Sequence, residues 1–191
     1  MSIRARLDTR RESAATWRDR ALYLVGVAGL TACVVVIFLA MRAVMDIGGF
    51  CAEGGPYEIE VHCPGGVPLL MTLAFPGLFL FGGLMLWSGS PIGGPYQGAV
   101  FFAWPALFLS LGWNFLEYGF APPGGGGLAW GWLLCGVVFV AMGGVPLVAV
   151  LKTDGVVRPP RRDTVPWLAA IAATLVAGIG AGYGVFRLFA G

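Results

Sequence analysis

The sequence predicts an all-α integral membrane protein: a compact bundle of five transmembrane helices, N-terminus inside and C-terminus outside, with a disulfide-tied outer loop. Three observations carry that expectation. The 191-residue chain is 58% hydrophobic and only 12% charged, whereas soluble domains carry about 25% charged residues. Its apolar residues fall in runs matching the roughly 20 residues that cross a bilayer core. Its basic residues cluster in two segments, which fixes the threading.

The chain opens with "MSIRARLDTRRESAATWRDR", residues 1–20, read as a basic cytoplasmic segment because it holds Arg4, Arg6, Arg10, Arg11, Arg18 and Arg20. The rest, 21–191, is one membrane domain. Its first run, "ALYLVGVAGLTACVVVIFLAM", has no charge. It is too long for the apolar region of a signal peptide and lacks a small-residue cleavage site, so it reads as a true span. Five spans are expected, at about 21–45, 67–88, 98–118, 128–151 and 165–189. The second basic segment, "LKTDGVVRPPRRDTVP", adds Lys152, Arg158, Arg161 and Arg162. Basic loops stay in the cytoplasm, so an even number of spans must separate the two segments. Four do so in this reading. The loop 46–66 is then outside, "SGSPIGGPYQ" is an inner turn and "GFAPPGGGG" an outer one. Trp17, Trp87, Trp113, Trp130, Trp132 and Trp167 sit where interfacial aromatic belts belong. Arg42 and Arg187 lie near span ends, from which long side chains reach the interface.

The outer loop contains "CAEGGPYEIEVHC". Cys51 and Cys63 are expected to form a disulfide, since such bonds persist outside the cytosol. Two other readings compete with a simple staple. Glu58, Glu60 and His62 alternate as on one side of a strand, and two carboxylates with an imidazole suit a divalent ion. A thiol oxidoreductase also carries loop cysteines, but it needs a C-x-x-C pair that this chain lacks. Cys33 and Cys135 stand alone within spans and read as small apolar fillers.

Within the spans, Arg42 and Asp46 are four apart and suited to pair on one helix face. "LSLGWNFLEYGF" is the most informative membrane stretch, because Asn114 and Glu117 share a face near its outer end with Tyr118 beside them. Ionisable residues inside a membrane are candidate functional sites. Pro76, Pro105 and Pro146 are expected to kink three spans. Gly178 with Gly182, and Gly180 with Gly184, give the last span faces on which helices approach closely.

Several classes lose support. The "GGGG" at 124–127 lacks the Lys-Ser/Thr of a phosphate loop, and one histidine provides neither a hydrolytic triad nor a haem ligand pair. No cofactor and no nucleic acid are expected. The N-terminal arginines are interleaved with Asp8, Glu12 and Asp19, which moderates their attraction to anionic lipid.

The stretches "GGFCAEGGPYEIEVHCPGG" and "WPALFLSLGWNFLEYG" resemble small multi-spanning membrane proteins of actinobacteria that have no assigned activity. The resemblance spans roughly residues 20 to 150 and implies a bacterial plasma membrane; separately, the Arg-, Ala-, Gly- and Pro-rich composition points to a high-GC bacterial genome. A likeness to claudin-type proteins fails, because their tryptophan-bearing loop motif is absent. The expectation is a non-enzymatic interaction or scaffold subunit, packing through its glycine face against a membrane partner or a second copy. The alternative is a protein handling a small molecule, lipid or proton at Asn114 and Glu117. A membrane thiol oxidoreductase is the outlying third.

Overall fold

A computed structural model describes residues 16–51, 61–92, 102–152 and 164–190 of the chain. These form five α-helices and no strand: α1 Trp17–Asp46, α2 Val67–Ile92, α3 Ala103–Phe120, α4 Trp130–Lys152 and α5 Thr164–Ala190. The α1, α2, α4 and α5 helices are long and apolar enough to cross a membrane. The five-span expectation is met in part: α3, of 18 residues, is not among these four, because Asn114 and Glu117 in its last turns and Trp104 and Pro105 in its first turn lower its apolarity.

α1 begins four residues before the uncharged run. The cause is a capping box: the Asp19 amide donates to Thr16 Oγ1 at 3.3 Å, and the Thr16 amide donates to Asp19 Oδ2 at 2.9 Å. Reciprocal caps of this kind satisfy amides that a helix start leaves unpaired, so the charged "TWRD" becomes helical before the apolar surface starts.

α1 is the central element. It makes large interfaces with α2 and α5 and a smaller one with α3, while α4 packs chiefly on α3. Glycine contacts give the register. A Cβ on Gly26 would lie 2.6 Å from Met85, and one on Gly77 would lie 2.6 Å from Cys33, so α1 and α2 run antiparallel. Gly112 meets Val140 and Gly143 meets Leu109, which makes α3 and α4 antiparallel too. Gly178 faces Ala28 and Thr31, and Gly182 faces Ala32 and Val35, so α5 runs parallel to α1. The bundle is up-and-down throughout, with α3 beside the second half of α1. Val36, Ile37, Leu70, Ala74 and Leu111 form its main core. Tyr23, Val27 and Met85 form a smaller one at the opposite end, under Trp167.

The proline expectation divides. Pro76 lies inside α2 and Pro146 inside α4, but Pro105 is the third residue of α3, where a missing amide interrupts nothing. Pro146 withholds the amide that the Met142 carbonyl would accept four residues back. The Trp104 indole of α3 supplies a substitute, donating to the Met142 carbonyl at 3.2 Å. Hydrocarbon offers no water for that duty. Trp104→Phe is therefore expected to cost about 1–3 kcal/mol, read as a lowered unfolding midpoint in detergent, and an unchanged midpoint would refute the role. The hydroxyls of Thr31, Thr72, Ser88, Ser110 and Thr174 are likewise turned onto carbonyls of their own helices.

Candidate functional site

The polar side chains of α1 and α3 meet at the end of the bundle that carries the cysteine loop. α1 presents Phe38, Arg42 and Asp46, and α3 presents Asn114, Glu117 and Tyr118. Because the two helices run parallel, residues one turn apart on each come into step. The Arg42 guanidinium grips Glu117 with both arms, Nη1 to Oε2 at 2.6 Å and Nη2 to Oε1 at 2.9 Å. Nη1 also donates to Asn114 Oδ1 at 3.3 Å. Asn114, fully buried, donates from Nδ2 to the Phe38 carbonyl at 3.0 Å. One turn on, the Tyr118 hydroxyl donates to Asp46. The Arg42 guanidinium also lies over two rings, 5.8 Å from Phe38 and 5.2 Å from Tyr118, within the roughly 6 Å of a cation–π contact.

This corrects the sequence expectation for Arg42. Its partner is Glu117 on another helix, while Asp46 takes the Tyr118 hydroxyl. The bidentate fork has the geometry in which guanidinium and carboxylate bond best, and no i,i+4 pair on α1 competes with it. The pairing had a signal in the sequence. Arg42 with Asp46 and Asn114 with Tyr118 both have a four-residue spacing, so parallel helices bring the two sets into register together.

Chemically, the cluster is a cross-brace. Both oxygens of Glu117 are engaged, so protonating that carboxylate means releasing an arm of Arg42. The pair is still reachable, with side chains 30% and 41% exposed for Arg42 and Glu117.

The brace continues into the loop connections. Tyr118 stands edge-on to Trp132 of α4, ring centroids 6.3 Å apart. A Cβ on Gly49, just beyond α1, would lie 2.5 Å from that same indole. Gly49 has φ +85°, a conformation that glycine adopts at little steric cost. Gly66, with φ +74°, packs on the Phe189 backbone at the end of α5. The Cys51–Cys63 disulfide, with Cα atoms 4.9 Å apart, links these two turns. One side of the staple is seated on α4 and the other on α5.

Closing a loop of this length contributes about 3 kcal/mol in the chain-entropy model. Cys51→Ser is expected to lower unfolding stability by about that amount, and reduction of the native protein by dithiothreitol should reproduce it. A variant as stable as the parent would show that the staple is redundant.

The remaining candidates fall elsewhere. Glu58 and Glu60 lie outside the described residues, and His62 is exposed. Among the described residues no three His, Cys, Asp or Glu side chains gather as a metal would require. Cys33 fills the notch left by Gly77, and Cys135 is exposed on α4. Of the four glycines on α5, Gly178 and Gly182 are consumed against α1, while a Cβ on Gly180 or Gly184 would meet nothing within 4 Å.

No family model matches the chain, and no curated protein or solved structure is similar to it.

Proposed function

We propose that this protein is a non-enzymatic interaction subunit of a bacterial plasma membrane, crossing it five times with its N-terminus inside. Its work is to present the free face of α5 to a membrane partner. The observation that carries this reading is the division of small residues on α5. One pair, Gly178 and Gly182, builds the chain's own α1–α5 contact. The other, Gly180 and Gly184, faces outward with exposed Ala173, Ala177 and Ala181. Small residues permit the close backbone approach on which helix association in lipid depends. α5 is also the least covered of the four long apolar helices, with 11% of its most apolar stretch buried. The fifth crossing is supported by α3 lying alongside α1 and antiparallel to α4. The orientation is supported by the basic residues that the sequence holds before α1 and between α4 and α5, since basic segments stay in the cytoplasm.

The test is the native mass of the protein extracted from its own membrane in mild detergent. A defined additional protein mass is expected with the parent chain. It should be lost in Gly180→Leu/Gly184→Leu, whose unfolding midpoint should stay within about 0.5 kcal/mol of the parent. A lone chain in both samples would overturn the reading.

A second reading keeps Glu117 as a proton or ligand site, favoured by the partial exposure of the Arg42–Glu117 pair. It predicts a lone chain with a retained small molecule, and a proton-dependent activity abolished by Glu117→Gln. The interaction reading predicts that Glu117→Gln still associates with its partner.

A further inference from the structure

At the end opposite the disulfide, the start of α1 and the end of α2 leave a recess of about 390 Å³, lined by Thr16, Arg18, Asp19, Leu22, Trp87 and Ser88. We propose that it seats the headgroup of an anionic phospholipid, with Arg18 as the cation on the phosphate.

The lining divides by chemistry. Leu22 and the Trp87 ring supply an apolar wall. Ser88 is buried, and its hydroxyl donates to the Leu84 carbonyl at 2.5 Å, so it presents little polarity to the space. Among the described lining residues Asp19 is the one anion; it keeps its charge, but its Oδ2 is turned onto Thr16 and it forms no ion pair with Arg18. Oδ2 accepts from the Thr16 amide at 2.9 Å and from the Thr16 hydroxyl at 2.6 Å. The capping box also occupies the α1 terminus itself, so the helix end is not the attraction. That leaves the exposed guanidinium of Arg18 to take a counter-charge.

Depth and charge identify the occupant. Trp87 lines the recess and Trp17 opens α1 at the same end of the bundle; they are 71% and 81% exposed, and exposed tryptophans at span ends lie at headgroup level. A recess at that depth, with an apolar wall and, in its lining, the exposed guanidinium of Arg18, unpaired among the described residues, complements a lipid's glycerol region and its phosphate together. Basic side chains here meet the anionic leaflet that attracts juxtamembrane arginine. The choice of leaflet rests on the orientation proposed above; the binding itself does not.

Native mass spectrometry of the purified full chain, titrated with phosphatidylglycerol and separately with phosphatidylcholine, tests the site. Preferential retention of phosphatidylglycerol is expected, weakened about five-fold by Arg18→Gln, the effect of one arginine near a lipid surface. Arg20→Gln is the control. It removes the same charge at nearly the same depth, but Arg20 lies 6.0 Å over the Trp167 ring on α5, away from the recess. Its retention of phosphatidylglycerol should match the parent. Equal weakening by the two variants would reduce the effect to diffuse charge and overturn the site. Displacement of the lipid by millimolar inorganic phosphate would overturn the lipid assignment in favour of a free-anion site. The measurement is made in detergent on single chains, so it stands or falls separately from the partner reading of α5.

Discussion

Glu117→Leu is expected to destabilise the bundle by roughly 2–3 kcal/mol, and adding Arg42→Met should recover part of that loss. Removing one partner of a buried pair leaves an uncompensated charge and costs about 3–5 kcal/mol. Surface pairs contribute about 0–1 kcal/mol. The Arg42–Glu117 fork, with side chains 30% and 41% exposed, falls between these limits. It lies nearer the upper one because both arms of Arg42 are bonded to Glu117 and Nη1 also donates to the wholly buried Asn114. The double variant removes both charges, so its midpoint should lie above that of Glu117→Leu alone. Unfolding of the parent, both single variants and the double variant in one detergent closes the cycle. Strict additivity would mean that the fork contributes no coupling and that α3 is held to α1 by packing alone.

Gly182→Leu should have an effect of similar size by a different route. A Cβ there would lie 2.7 Å from the Ala32 carbonyl oxygen and 2.9 Å from the Val35 Cβ. Neither is the far end of a flexible side chain, so the helices must part. Overpacking of this kind costs roughly 1–3 kcal/mol, and with no room to yield the upper end is expected. Gly178→Leu meets the Ala28 carbonyl at the same 2.7 Å and should behave alike. Loss of α5 from the bundle can be read as new protease sensitivity within α5. If Gly182→Leu melted with the parent while Gly180→Leu did not, the assignment of the two faces of α5 would be reversed.

How much of this was legible beforehand follows from the kind of physics involved. Span positions come from local composition, so α1, α2, α4 and α5 could be read directly. The Cys51–Cys63 bond was legible because its partners are close in sequence and the threading placed them together. The partner of Arg42 was not: the threading makes spans one and three parallel and their four-residue spacings match, but it does not tell that α1 and α3 touch or in which register. The same limit applied to the α5 glycines: their spacing shows two small faces, but only the packing on Ala28 and Ala32 tells which is used. Trp104 was read as neither cap nor partner. Its role appears only once α3 lies antiparallel to α4 and brings its indole to the carbonyl freed by Pro146.

The Arg42–Glu117 fork also sets a schedule for synthesis. The partners are 75 residues apart, and chains grow at about 5–20 residues per second, so Arg42 enters the bilayer roughly 4–15 s before Glu117 exists. During that interval the guanidinium has no countercharge from α3. Its place only four residues from the end of α1 makes the wait tolerable, because a long side chain there can lie in the headgroup layer. The same arginine at the middle of α1 would have to wait in hydrocarbon. The brace is thus built from a residue that can stand outside until its partner arrives.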